Sequence, residues 1–486
     1  MSSVKKNFIY NLIYQMLLIL LPLVTSPYIS RVFGADGLGV YSYYYSVANY
    51  FLILGMLGIS NYGNRGVAAA RDNQEKLSIF FSEVYLFQLI TMATVSVAYA
   101  VYLIFFCKEN IEIALIMYLY LASGIFDISW LFFGLEKFKI TVTRNIIIKV
   151  STVLCMFIFV HKPSHVARYS IIMCGGMLLS QVYLWKYVRQ YVSFRFVKIR
   201  DILKHTKSIF ILFVPVLSYS IYKIMDKIIL GNLSTFAQVG LYANAEKATN
   251  IPIGVITAFG TVMLPRMSNL IANGEKAQGL RYTKLSIKFI TFVACAISFG
   301  LIGISDVFSP VFFGPGYEGC SILIKLLAFS VLFTSWTNVV RTQYLIPNHI
   351  DNAYVISTVI GAVLNLIINL MLISSLEAMG VVIGTVVAEF SMMFTQMFWV
   401  RKKMNFFQAI LHESGYVIIG ALMAVSISVV GMHMENNVIN LCILILAGAF
   451  IYIVLSIVMM KIRKDELYGL IVKTIKGFKI SVRKKD

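Results

Sequence analysis

The chain has 486 residues, of which 59% are hydrophobic and only 13% charged. A soluble domain carries roughly 25% charged residues, so composition excludes an ordinary soluble globule, and a length-based count of soluble domains does not apply. The net charge of +20 is not a nucleic-acid signature, because Lys and Arg fall in short segments between apolar runs, where they fix topology.

The N-terminal segment Met1–Asn7 carries Lys5 and Lys6. The apolar run after it is too long for a signal-peptide core, so it reads as a retained span. About 14 apolar spans follow one another, at roughly 8–30, 40–63, 79–106, 111–134, 142–160, 166–190, 206–231, 240–264, 285–305, 318–340, 353–373, 379–400, 411–432 and 438–460, each long enough as a helix to cross a bilayer. The fold class is therefore all-α, a polytopic membrane protein. With the N-terminus inside and strict alternation, about 34 of the 42 Lys and Arg residues fall in inside segments. The outside segments keep Arg31, Lys108, Lys162 and Arg168, while Lys223, Lys227, Lys247 and Lys325 lie within spans. Both termini are accordingly expected in the cytoplasm. No loop exceeds about 20 residues and no P-loop motif occurs, so if transport is energised its source must be an ion gradient or the substrate's own gradient. The tail 461–486 alternates basic and apolar residues (Leu467, Leu470, Ile471, Ile475, Phe478, Ile480) and is expected on the anionic inner leaflet. The six cysteines are scattered and read as apolar filler, and the histidines show no metal-ligand spacing, so no cofactor is expected.

The chain repeats itself. Gly39, Tyr41, Asn49 and Arg65 recur as Gly240, Tyr242, Asn250 and Arg266 at one offset. Ser129-Trp130 recurs as Ser335-Trp336, and Ser151-Thr152-Val153 as Ser357-Thr358-Val359, at a slightly larger one. A unit of six helices is even, so both copies share one orientation, related by an axis along the membrane normal. The expected organisation is a six-helix bundle over 1–200, a pseudo-twofold-related bundle over 201–403, two further helices over 404–460, and the basic tail 461–486. Two bundles facing a cleft can rock to give alternating access.

Ionisable groups inside a membrane are costly and usually face a cavity. The seventh span places Tyr219, Tyr222, Lys223 and Asp226 at i, i+3, i+4 and i+7, on one face. The eighth places Glu246 and Asn250 on one face, with Lys247 beside them. The first carries Asn7, Asn11, Gln15, Pro22 and Thr25 and ends at Arg31; the eleventh carries Thr358, Gly361, Asn365 and Asn369. Such stripes suit a sugar-bearing, anionic cargo. Asp226/Lys227 and Glu246/Lys247 also read as interhelical ion pairs, and Asp226 and Glu246 as ion-coupling carboxylates. Arg65 and Arg266 end equivalent spans, either as topology anchors or as bidentate ligands for a pyrophosphate. Tyr41, Tyr43, Tyr44, Tyr45 and Tyr50 read as an interfacial belt, with sugar stacking for those that face the cleft. Asp127 and Glu389 are further acids within spans.

The stretch Arg31-Val-Phe-Gly34-Ala-Asp-Gly37-Leu-Gly39-Val-Tyr41 resembles the polysaccharide (Wzx-type) flippases of the multidrug/oligosaccharidyl-lipid/polysaccharide exporter superfamily. So do Met225-Asp226-Lys227-Ile-Ile-Leu-Gly231, Val239-Gly240-Leu-Tyr242-Ala-Asn-Ala-Glu246-Lys247 and Val262-Met-Leu-Pro265-Arg266-Met-Ser268. The resemblance covers nearly the whole chain. It implies a 14-helix, two-bundle fold in a bacterial cytoplasmic membrane. It implies a polyprenyl-pyrophosphate-linked oligosaccharide as cargo, flipped from the inner to the outer leaflet before the polysaccharide polymerase machinery acts. The family's cationic cavity matches Arg31, Arg65, Lys223, Lys227, Lys247 and Arg266, and H+ or Na+ is the candidate coupling ion. Alternatives are a flippase for teichoic-acid or peptidoglycan precursors and a multidrug/cation antiporter. The excess of basic over acidic groups beside the cleft argues against the antiporter. An enzyme would need a carboxylate or metal constellation at a membrane face, which the sequence does not offer.

Overall fold

The computed structural model describes residues 3–465 and 468–469, with side chains from residue 20 onward except those of Tyr219 and Tyr222. The side chains of Asn7, Asn11, Gln15, Tyr219 and Tyr222, and most of the tail read as membrane-surface, therefore lie outside the described residues. Among the described residues the regular elements are helices throughout. In order they are α1 (Ser3–Met56), α2 (Ile59–Ala70), α3 (Gln74–Phe105), α4 (Ile111–Ile125), α5 (Ser129–Gly134), α6 (Phe138–Phe159), α7 (Val166–Val188), α8 (Ile199–Leu203), α9 (Thr206–Leu233) and α10 (Phe236–Ala272). Then follow α11 (Lys276–Phe313), α12 (Cys320–Val340), α13 (Asp351–Val400), α14 (Phe406–His412), α15 (Ser414–Gly431) and α16 (Val438–Ile462).

Among the described residues ten helical stretches are long and apolar enough to cross a membrane, or eleven with the bent pair inside α9 taken as one span. The protein is thus a multi-pass membrane protein. The two longest helices are each broken. The 54 residues of α1 would run roughly 80 Å if straight, against about 30 Å of hydrocarbon. The chain turns at Gly34, whose φ of 65° and ψ of −177° are open essentially to glycine alone. The 50-residue α13 turns at Glu377, with φ 47° and ψ −125°. Short polar signals set other ends. Asn73 accepts from Lys76 N at 3.0 Å to start α3, and Asn437 accepts from Asn440 N at 2.8 Å to start α16.

Two compact units emerge, residues 1–243 with 369–378, and residues 244–368 with 379–486. In the first, α1 packs on α3, α4, α6 and α9, and α2 on α3, α5 and α9. In the second, α11 packs on α12, α15 and α16. Each unit has its own apolar core, around Phe81, Trp130 and Phe132 in the first and around Trp336, Tyr416 and Tyr452 in the second. Large apolar side chains such as Ile104, Phe105, Leu446 and Phe450 point outward, each at least 70% exposed, as lipid-facing surface requires.

Two tryptophans paired by the sequence offset make similar contacts. Trp130 Nε1 donates to Gln88 Oε1 at 3.1 Å in the first unit. Its counterpart Trp336 Nε1 donates to Thr291 Oγ1 at 2.9 Å in the second. Each buried indole thus finds a polar partner one span earlier in the chain.

Candidate functional site

The candidate side chains of the first unit gather in three places. The first is the corner where the arms of α1 meet the turn between α9 and α10. Here the duplicated glycines meet reciprocally. A Cβ at Gly39 would lie 1.7 Å from the Phe236 carbonyl oxygen, and a Cβ at Gly240 would lie 1.9 Å from that of Ala35. Ala35 and Phe236 are separated by the same sequence offset as Gly39 and Gly240, so the two contacts are reciprocal. Around it Tyr43 donates to Asn232 Oδ1 at 3.0 Å and lays its ring against Gly231. Glu377, at the break of α13, accepts from Ser234 Oγ at 2.9 Å and Gln238 Nε2 at 2.7 Å, tying the same turn to a third helix.

The tyrosine cluster differs from the interfacial belt expected. Tyr43 and Tyr44 are buried, at 6% and 3% exposure. Tyr41 stacks on Tyr45 at 5.8 Å, and Tyr120 donates to Asn49 Oδ1 at 2.9 Å. Helix periodicity turns these rings into the helix packing, because α1 is surrounded by α3, α4, α6 and α9.

The second place is Asp226, which is fully buried. Tyr242 donates to its Oδ2 at 2.6 Å and Asn369 Nδ2 donates to its Oδ1 at 2.6 Å. One carboxylate therefore joins α9, α10 and α13. The sequence singled out Asp226 and Asn369 separately; their contact spans 143 positions and has no local signal. Lys223 and Lys227 lie half-buried on either side of Asp226 along α9. In the second unit Glu246 and Lys247 are half-buried, Asn250 is exposed and Asn365 is buried.

The third place surrounds Arg65. It lines a cavity of about 410 Å³ with Tyr62, Gly66, Ser208, Ile211 and Leu212. From this cavity a hydrogen-bonded chain runs inward. Tyr62 Oη meets His205 Nδ1 at 2.6 Å, and His205 Nε2 meets Glu83 Oε2 at 2.8 Å. Lys204 Nζ closes on Glu83 Oε1 at 2.6 Å. Sequence reading missed Glu83 and His205, both of which are buried. The available signal was an acid between Phe81 and Val84, within an otherwise apolar stretch.

The remaining predicted residues sit apart. Arg31 is exposed and donates to the Pro27 carbonyl at 3.1 Å. Arg266 is exposed in the second unit; its Nη2 donates to Tyr282 Oη at 2.8 Å, with the guanidinium 4.4 Å from that ring. Lys325 pairs with Asp306 at 2.7 Å. Asp127 Oδ1 accepts from Ser129 N at 2.9 Å at the start of α5.

Against known proteins, a family model described as "Polysaccharide biosynthesis protein" matches residues 4–271. A "Putative O-antigen transporter" of Escherichia coli (strain K12) is 22% identical over 353 residues, covering 71% of this chain and 84% of that protein. One of Shigella dysenteriae is 22% identical over 347 residues, covering 68% and 85%. Among solved structures, "Lipid II flippase MurJ, inward closed conformation" matches with a TM-score of 0.75 at 16% identity, over 94% of this chain and 98% of that one. An inward-facing multidrug resistance MATE family transporter of the MOP superfamily matches with a TM-score of 0.61 at 14% identity, over 82% and 98%. These two likenesses show the fold.

Proposed function

Because the chain belongs to the polysaccharide biosynthesis protein family, we propose that it is a flippase for a polyprenyl-pyrophosphate-linked oligosaccharide repeat unit. It carries that cargo from the inner to the outer leaflet of a bacterial cytoplasmic membrane, for surface polysaccharide assembly. The observation that carries this reading is the match to two O-antigen transporter relatives over most of their length, in a chain whose fold is that of a flippase.

The physical problem is the pyrophosphate. An unpaired charge in hydrocarbon costs several kcal/mol or more, so a carrier must offer cations along the route. On this reading Arg65 and Arg266 receive the phosphates at the cytoplasmic side, and Arg31, Lys223, Lys227 and Lys247 continue the path. Asn250, Asn365 and Asn369 offer amides to the glycan. Each charge-assisted contact is worth about 1.5–3 kcal/mol. No covalent bond changes, so the protein acts as a carrier rather than an enzyme.

The loop-charge asymmetry puts both termini in the cytoplasm and the Gly39–Gly240 corner on the opposite side. That corner is then the extracytoplasmic closure, and its parting is the step that releases cargo. We read each arm of α1 and α13 as a separate crossing, which brings the count to about fourteen. Asp226 and Glu246 are the carboxylates placed to exchange H+ or Na+ during the cycle, and the released lipid passes to the polymerase machinery.

The likeness in fold to a lipid II flippase favours one second reading, a carrier of peptidoglycan or teichoic-acid precursors. Deleting the gene separates the two: the polyprenyl-linked intermediate that accumulates on the inner leaflet identifies the cargo. Complementation then tests the site. Arg65→Glu and Arg266→Glu proteins should insert normally yet restore no surface polysaccharide, and Arg→Lys at either position should restore part. Normal polysaccharide from Arg31→Ala, Arg65→Ala and Arg266→Ala alike would leave these arginines as topology anchors.

A further inference from the structure

A second basic cavity lies within the second unit, built from residues with no part in the cargo assignment. It occupies about 700 Å³ between the first turns of α11, the turn at 401–405, and α14. Its lining carries four cations, Arg281, Lys284, Lys288 and Lys403, together with His412, against the carboxylate of Glu413 and that of Asp465 beside its floor. The sequence places Arg281, Lys284 and Lys288 at i, i+3 and i+7, one face of α11, so their charges converge by helix geometry.

The floor of the cavity is fixed. Lys288 Nζ lies 2.8 Å from Asp465 and 3.6 Å from Glu413, with all three side chains largely buried. The rim is different. Lys284 and Lys403 are exposed and meet no carboxylate among the described residues. A rim of unneutralised cations above a rigid floor is a site for an anion.

The surroundings say what bears that anion. α14 is seated on α13 by Phe407 against Phe394, with ring centroids 5.4 Å apart. Beside the cavity, Phe289, Phe398, Trp399 and Leu411 turn outward, with exposures of 39%, 48%, 48% and 71%. Trp399 lies one helical turn before Lys403, and Phe289 directly follows Lys288. Cations at the end of a span with exposed aromatics one turn into the apolar run mark a membrane–water interface. A soluble anion has no use for the apolar rim; a lipid uses both parts, phosphate in the cavity and acyl chains along the rim.

We propose that this cavity binds the phosphate headgroup of an anionic phospholipid in the adjoining leaflet. The volume suits a glycerophosphate headgroup, and the charge excess selects an anionic lipid over a zwitterionic one.

The test uses the purified full-length protein and two lipids of identical acyl chains, phosphatidylglycerol and phosphatidylcholine, with retention read by native mass spectrometry. The wild-type protein should retain phosphatidylglycerol preferentially. Arg281→Gln with Lys284→Gln and Lys403→Gln should lower that retention at least tenfold and leave phosphatidylcholine unchanged. A matched triple outside the cavity, Lys139→Gln with Lys198→Gln and Arg200→Gln, removes equal charge and should leave phosphatidylglycerol retention as it was. The single Lys403→Glu change, on a turn outside any helix, should lower it several-fold by itself. Equal losses in the two triples, or equal retention of the two lipids, would overturn the proposal. So would displacement of phosphatidylglycerol by millimolar inorganic pyrophosphate, which would make the cavity a site for a free anion.

Discussion

Replacing Gly39 by alanine puts a methyl group where the structure has a carbonyl. The new Cβ would stand 1.7 Å from Phe236 O, whereas real Cβ contacts stay above 3.0 Å. The corner must therefore part by about 1.3 Å, and because the obstacle is backbone no rotamer change relieves it. Over-packing of this kind costs about 1–3 kcal/mol. Alanine gains about 1 kcal/mol of helix propensity over glycine, but equally whether the corner is closed or parted. The whole contact penalty thus falls on the closed corner, shifting its equilibrium by roughly five- to 150-fold. Val239, fully buried in the first turn of α10, reports the state. In a background without the six native cysteines, Val239→Cys should react with an impermeant maleimide from outside five- to 150-fold faster once Gly39→Ala is added. Gly240→Ala, 1.9 Å from Ala35 O, should act alike. One opening relieves both clashes, so the double variant should fall short of the sum of the two effects. Unchanged labelling in both single variants would show that this contact does not hold the corner shut.

Three further predictions follow from other parts of the molecule. Gly34→Ala meets no neighbouring atom within 4 Å, so its penalty of about 1–3 kcal/mol is purely conformational. It should lower the melting midpoint, and an unchanged midpoint would refute the strain argument. Asp226→Asn removes a carboxylate held by Tyr242 and Asn369 and should cost about 1.5–3 kcal/mol. If Asp226 also couples the ion, the folded variant will transport slowly and independently of the gradient; full gradient-dependent flux in both Asp226→Asn and Glu246→Gln would exclude that role. Burial holds the Glu413 carboxyl above the usual glutamate range; Asp465 pushes it the same way, and Lys288, His412 and Arg463 pull it down. A raised value in the folded state means that protonation favours folding, so the stabilisation present below the ordinary glutamate value is lost as pH rises through the raised one. Glu413→Gln should flatten the pH dependence of the melting midpoint on the acid side of neutrality, and an identical slope would contradict it.

What was legible in the sequence was periodic or duplicated. The break at Gly34 lies between two apolar runs, and Gly39 and Gly240 could be paired by their offset before any contact was known. Asp226 stood out because an acid within an apolar helix is rare. What escaped was tertiary. Glu83 and His205 are 122 positions apart and meet only because α9 begins beside α3. The tyrosines of α1 were misplaced because interfacial and buried tyrosines share the same apolar neighbours in sequence; the difference lies in which helices surround them. Asn369 gave a polar stripe and Asp226 an acid within a span, but their pairing had no signature in either segment.

The two tryptophans differ in how much rests on the partner of each. Gln88 accepts from Trp130 and also donates to the carbonyls of Gly124 and Asp127 at 2.7 and 2.8 Å, so one amide serves three buried groups. Thr291 serves Trp336 by a single hydroxyl bond. A substitution at Gln88 strands three partners at once, and one at Thr291 strands one. Loss of the Gln88 amide should therefore loosen its surroundings more than loss of the Thr291 hydroxyl does: two like indole bonds carry unequal structural weight.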